Sequence, residues 1–385
     1  MNSTSALQSM VLTEVTSTRD EKAFLEMPGN IYRSDSNYIR PLDKEIMDIF
    51  DPMANPLFKT GACKRWLLWT EDGLCIGRIA AFYKIRMEGM HIRHVGGLGF
   101  FECIDDQMAA NLLIDQTKYW LEEMGVKVIH GPVNFGNRQC WWGLYINGEG
   151  KPNYCTNYHP PYYRRLIENY GFVVNYRQFT FKFEQFEPPN CFFKAIKNHF
   201  MQDDRYEFKS ADPAKWLDNA AKFKSLFNKT WATEEKQSPL SLDQVLNYMD
   251  RLREVLDWRL IWFAYFEGEP IAFFVGIPEL NHQILQHING KIKFIDKFKL
   301  ARKRWVNAYD KANGLYYGVL DAFKRKNVGL GLIAAMLDAW KNELKIPYRS
   351  IECGWVGDYN PKMIKVMKKA GGEISKTHQT YRYWL

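Results

Sequence analysis

Apolar and polar positions along this chain alternate in two periods, and the same order of periods occurs twice. RWLLWTEDGLCIGRIAAFYKI, residues 65–85, is two β-rich runs broken at Asp72 and Gly73. RLIWFAYFEGEPIAFFVGIP, residues 259–278, repeats the plan around Glu267 and Gly268. Aromatic and β-branched residues flanking an acidic-Gly pair predict a hairpin in each half. A glycine-bearing apolar strand comes next, HVGGLGFFEC in the first half and NGLYYGVLDAF in the second.

Each of these strands leads into a helical period. Ile333, Met336, Leu337, Trp340 and Leu344 recur at i, i+3, i+4, i+7 and i+11, which predicts one buried stripe. Ala109, Leu112, Leu113, Gln116 and Trp120 give a weaker stripe in the first half. The strands VKVIHGP and YRSIECGWV follow, completing a strand, helix, strand crossover in each half. Second helices are predicted from Tyr163, Leu166, Ile167 and Tyr170 before Gly171, and from Met363, Val366, Met367 and Ala370 before Gly371. Both halves close on an aromatic strand, NYRQFTFKFE and HQTYRYWL. The repeated order predicts an internal duplication, a mixed α/β sheet protein in two domains, 1–187 and 188–385. The boundary is set at FEPPNCFF, where Pro188 and Pro189 cannot continue a central strand.

Composition narrows the classes. With 385 residues, 46% of them hydrophobic and 25% charged, the chain can bury two cores. The net charge of +8 favours anionic ligands, but with no arginine-rich tract, zinc finger or RNA-binding signature, nucleic acid is not the expected partner. Cys63, Cys75, Cys103, Cys140, Cys155, Cys191 and Cys353 form no CxxC pair, so neither a disulfide framework nor a metal site is expected. No basic start with a long apolar segment opens the chain and no apolar run is long enough to span a bilayer, which leads us to expect a cytoplasmic protein.

Candidate chemistry concentrates at GVLDAFKRKNVGLGLIAAML, residues 318–337. Lys324, Arg325 and Lys326 stand just before Gly329 and Gly331, and a helix starts there. Free amides at a helix start suit phosphate oxygens, and glycines let a ligand approach the backbone. A solvated basic loop is the plainer alternative. In the first half CIDDQMAANLL places Asp105 and Asp106 at the equivalent helix start, where they cap the amides and repel a phosphate.

The order of elements, KNVGLG and GDYNPKMIKVMKKAGG together resemble the GCN5-related N-acetyltransferase (GNAT) superfamily across nearly the whole second half, with a weaker likeness in the first. Lys326 stands where the family pattern has Arg or Gln. GFFECIDDQ, GPVNFGN and HPPYYRRLIENYGF further resemble a group of uncharacterised bacterial proteins with tandem GNAT-like units.

The resemblance implies two GNAT-like acyl-CoA N-acyltransferase domains in tandem, the first degenerate and not expected to bind CoA in the ordinary way, and a mixed, twisted sheet splayed between its fourth and fifth strands where the pantetheine arm inserts. It implies acetyl-CoA or another acyl-CoA as cosubstrate, no metal, and an unidentified amine as acceptor. Lys326, Asn327, Val328, Gly329, Leu330, Gly331 and Leu332 would face the pyrophosphate, and Val319 and Leu320 the pantetheine. Asn360 either approaches the cofactor or makes an Asx turn. Met367 stands at the family's tyrosine acid position, which leaves Tyr383, Tyr381 or Tyr359 as substitutes and a non-enzymatic CoA-binding or interaction protein as the alternative. Peptidoglycan-bridge aminoacyltransferases and N-myristoyltransferases also pair such units, and none of their specific motifs occurs here. A carboxylate must neutralise the amine, and Glu352 and Asp321 are the candidates.

Three other constellations stay open between packing and function. They are Trp141, Trp142 and Tyr145 in the long connection 134–154, the histidine pairs His91/His94 and His282/His287, and the basic aromatic segment 291–305.

Overall fold

A computed structural model describes residues 10–88, 91–184, 191–234, 239–283, 285–293, 296, 309–344 and 346–385. The chain divides into two compact units, one of Met1–Gln178, Ile284–Ile292 and Lys376–Leu385, the other of Phe179–Gln283 and Lys293–Ser375. Pro188 and Pro189 lie outside the described residues. Each unit is a mixed sheet with helices on both faces, the fold class that the periods imply.

Unit 1 runs β1 (Met10–Glu14), α1 (Thr18–Glu26), α2 (Asp43–Phe50), β2 (Gly61–Thr70), β3 (Cys75–Glu88), β4 (His91–Cys103), α3 (Gln107–Glu123), β5 (Val128–Gly131), β6 (Leu144–Gly148), α4 (Tyr162–Tyr170) and the start of β7 (Val173–Glu184). Its strand order is β1-β2-β3-β4-β5, completed by most of the chain's last strand, which pairs antiparallel with β5 and with β6. One core lies under α3 and α4, around Leu113, Leu121, Tyr163 and Leu166, and the other under α1 and α2, around Phe24, Ile46 and Phe50. The α3 stripe sits one position from its predicted place. Ala110, Leu113, Ile114, Thr117 and Leu121 are buried, whereas Leu112 faces solvent. Ala109 and Trp120 fit either face, and the stripe through Ile114 buries more hydrocarbon.

Unit 2 runs α5 (Cys191–Met201), β8 (Tyr206–Ser210), α6 (Trp216–Glu234), α7 (Leu242–Leu252), β9 (Ile261–Phe266), β10 (Glu269–Pro278), β11 (Lys311–Val319), α8 (Val328–Asn342), β12 (Ser350–Gly357) and α9 (Pro361–Lys369), ahead of β13 (Glu373–Trp384). The strand order is β12-β11-β10-β9-β8. Successive side chains of a strand point to opposite faces. Phe273 accordingly meets Phe223 of α6 at 5.4 Å between ring centroids, while Phe274 meets Trp340 of α8 at 6.2 Å. The sheet is thus covered by α6 and α7 on one face and by α8, packed on α5, on the other.

Both predicted hairpins form. Gly73 has φ 80°, and Glu267 and Gly268 have φ 50° and 84°, the left-handed pair that a two-residue turn between twisted strands requires. Among the described residues no helix is long and apolar enough to cross a membrane, and no group of three or more His, Cys, Asp or Glu is placed to hold a metal ion.

Candidate functional site

In unit 2, β11 and β12 pair in parallel only from Lys311–Ser350 to Gly314–Cys353. Beyond that point β11 runs five more residues to Val319 and β12 four more to Gly357, so the two strands part in a fork. A bulge marks the same place. β10 pairs Val275 with Tyr316 and Gly276 with Gly314, skipping Leu315. The carbonyl of Tyr317 beyond the fork accepts a hydrogen bond from the Trp231 indole at 3.0 Å instead of a strand partner. Leu320 N–H donates to Ile271 on the β10 side.

The end of β11 leads through a short helix, Asp321–Lys324, to the start of α8. Asn327 is the N-cap in the left-handed region, φ 59°, and no side chain caps the first turn. The first return bond is Gly331 N–H to Asn327 O at 3.0 Å. Val328, Gly329 and Leu330 of that turn are buried, and the exposed Lys324, Arg325 and Lys326 precede them in the chain. Lys324 is held below the usual lysine range by partial burial and by the neighbouring Lys362, and it also pairs with Asp321 at 2.7 Å. Lys326 lies over Phe323 at 5.0 Å. An uncapped helix start beside mutually repelling lysines suits an anion.

The two glycines serve packing. A Cβ on Gly329 would lie 1.8 Å from the Tyr317 hydroxyl, and one on Gly331 would lie 2.6 Å from the Phe200 ring. The small residues let α8 sit close on β11 and α5.

Unit 1 answers the same positions differently. Asp106 Oδ1 accepts from Ala109 N–H at 2.9 Å and caps α3, while Asp105 pairs with Arg165. Its fork is filled. β4 and β5 pair at Gly96 and Gly97, and then Val133 N–H donates to Leu98 O at 2.8 Å while the Val133 carbonyl lies where a Gly99 Cβ would stand.

Cross-strand register fixes the face of Glu352. Ile277, Asn313 and Glu352 stand opposite one another on β10, β11 and β12, so all three point to the α6 and α7 face. Asn313 is 3% exposed on that face. No periodicity marks Asn313, which reads as one more strand residue in the sequence.

Asp321 is exposed at the fork's outer end. Tyr383 belongs to unit 1, where its ring packs on Phe172 at 5.1 Å and Tyr170 at 5.5 Å. Tyr381 is buried there and donates to Glu168 at 2.9 Å, and Tyr359 is exposed. Met367 is buried. Asn360 caps α9 by accepting from Met363 N–H at 3.1 Å, so the Asx role is filled and its amide group is still available.

Trp141 is buried in the α1 and α2 core, Trp142 donates to the Tyr176 hydroxyl at 2.8 Å, and Tyr145 lies on β6. His94 stacks on Tyr83 at 5.5 Å, while the His91 side chain and most of 291–305 lie outside the described residues.

Sequence reasoning missed a buried polar network in unit 1. Glu102 Oε2 accepts from Tyr32 and Tyr163, each at 2.8 Å, and Arg78 lies 3.5 Å from Oε1. Burial raises the Glu102 carboxyl above its usual range, against the pull of Arg78 and the tyrosines. His159 accepts from Tyr145 N–H at 3.1 Å, and burial lowers its pKa to about 3, with His378 and Arg78 adding to the effect. The HPP and FFE motifs are its only trace in the sequence.

No family model matches the chain. It is 24% identical over 365 residues to a protein of Caulobacter vibrioides named bacterial ceramide synthase, covering 94% of each. It is 22% identical over 370 residues to Protein YghO of Escherichia coli, covering 94% of this chain and 92% of that one. Among solved structures, a tandem GNAT protein from the clavulanic acid biosynthesis pathway superposes with a TM-score of 0.54 at 10% identity, over 98% of both chains. A GCN5-related glucosamine N-acetyltransferase region of a fungal multi-domain β-N-acetylglucosaminidase gives 0.57 at 11% identity, over 98% of this chain and 38% of that one.

Proposed function

From a chain whose fold is that of tandem GCN5-related N-acetyltransferases, we propose that unit 2 binds an acyl-CoA and transfers its acyl group to an amine. The observation that carries this reading is the open fork between β11 and β12 beside an uncapped helix start. The pyrophosphate sits on the amides of Asn327 to Leu330, with Lys324, Lys326 and Lys362 around it. The pantetheine arm follows the edge of β11 that has parted from β12, past Leu320 and Val319, and the thioester reaches the fork at Gly314.

The amine nitrogen attacks the thioester carbon, a C–N bond forms, the C–S bond breaks and the electron pair leaves on sulfur. The proton lost from nitrogen passes to the Glu352 carboxylate, directly or through water, and from there to the thiolate. That route replaces a tyrosine acid, since Met367 has no proton to give. The Asn313 amide donates to the carbonyl oxygen as charge collects there. A ceramide is an N-acyl amide, so the name of the Caulobacter relative agrees with the chemistry of the fold's namesakes.

Met367 also favours a second reading, CoA binding without turnover. Calorimetric titration with acetyl-CoA, followed by a thiol-release assay against a panel of amines, separates them. Binding with release supports transfer, binding without release on any amine supports the second reading, and no binding of any CoA ends both.

A further inference from the structure

The Glu352 face of unit 2 carries a cleft of about 510 Å³, counting its open mouth, between α6, α7 and strands β9 to β11. Phe223, Val245, Met249, Val275, Ile277 and Leu315 are among its walls, and Asn219 is the one side-chain amide in the lining. Val245, Met249 and Leu252 recur at i, i+4 and i+7 on α7, so the helix turns its apolar stripe toward the cleft. Even so, Phe223, Met249, Val275 and Leu315 are only half-buried. The chain leaves hydrocarbon uncovered here that an apolar ligand would cover.

Continuity with the fork identifies the occupant. Leu315 and Tyr316, the bulge residues where β11 leaves β12, are both cleft walls. Ile277 is a wall too, and it heads the row that continues through Asn313 to Glu352. An acyl group whose thioester carbon lies at Gly314 therefore has a dry route beside it. An acetyl group would leave that route empty.

We infer that the acyl group is a long unbranched chain, seated in the cleft from Leu315 toward Met249. The inference rests on the acyl-CoA reading above and adds the class of acyl donor.

The test is titration of the full chain with CoA, acetyl-CoA, octanoyl-CoA and lauroyl-CoA below micelle-forming concentrations. Burial of each methylene strengthens binding by up to about fourfold, so lauroyl-CoA should bind at least tenfold tighter than acetyl-CoA. Met249→Trp, on a helix away from the proposed CoA contacts, and Val275→Phe, on the cleft floor, should each erase that gain and leave CoA affinity and the far-UV spectrum unchanged. Equal affinity for all four ligands would overturn the inference and leave the CoA site standing. A full lauroyl gain in both variants would overturn it as well, as would a monomer–dimer equilibrium abolished by Met249→Trp with no dependence on chain length, since a second copy would then cover the cleft. If no CoA of any length binds, the underlying reading fails too.

Discussion

His159 and His378 are 6% and 4% exposed, and burial is the main cause that holds their pKa values down, to about 3 and about 4. His378 also has Lys376 against its charged form, and its bond to the Asn157 carbonyl at 3.0 Å works the other way. In the unfolded chain both titrate near 6.5. A depressed histidine pKa means that the unfolded state binds more protons below that pH, so stability falls as the solution is acidified. Each histidine costs up to about 2 kcal/mol between pH 7 and pH 5. Glu102 has the opposite sign. Its raised pKa contributes stability that is full below the ordinary carboxylate value and is lost as pH rises through the shifted one. His378→Gln keeps a donor for Asn157 and should flatten the acid limb of the urea midpoint plotted against pH by about half. An unchanged slope would mean that His378 does not titrate against a buried neutral form. None of this was legible in the sequence, because His378 and His159 are more than two hundred positions apart and only the sheet brings them together.

At the scale of elements, the two helix starts are alternative solutions to one electrostatic problem. Asp106 supplies the negative end that α3 needs, and α8 has none of its own. Asn327→Asp transfers the unit 1 solution to unit 2. It should leave the urea midpoint equal or higher and lower CoA affinity at least tenfold, as the carboxylate takes the amides and repels the pyrophosphate. Affinity that survives would place the phosphates elsewhere. Gly331→Leu tests packing instead. Its Cβ alone would meet the Phe200 ring at 2.6 Å, so the variant should lose about 1–3 kcal/mol in urea whether or not CoA is present. Both hairpins, both crossovers and α8 were legible because period and turn residues specify them locally. The α3 stripe was not, since Leu112 and Ile114 are equally apolar and only the rest of the core decides which turns inward. The face of Glu352 was hidden for a related reason, because it depends on register with β10 and β11.

For the molecule as a whole, the duplication in the sequence suggests a cut near residue 187, but unit 1 takes its final strand from the other end of the chain. Lys376–Leu385 cluster with residues 1–178, and Tyr381, Arg382, Tyr383 and Trp384 pair with Gly131, His130, Ile129 and Val128. Tyr381 is fully buried in the unit 1 core, and Lys376 donates to Asn153 at 3.2 Å. Local periodicity cannot reveal which sheet a strand joins, and HQTYRYWL reads equally well as the last strand of its own half. The residues 1–187 alone should therefore expose the edge of β5 and leave a gap where Tyr381 packs, a loss of about 3–5 kcal/mol from that ring before any hydrogen bond is counted. Such a fragment should aggregate or give no cooperative urea transition. A chain ending at Ser375 should lose the unit 1 transition and keep that of unit 2, whose α8 core owes nothing to the last ten residues. Cooperative folding of 1–187 at full stability would show that the strand is dispensable. Because the pairing joins residues some 250 positions apart, closure of unit 1 must await the whole chain, and its folding should be the slower phase when the full-length protein is diluted out of urea.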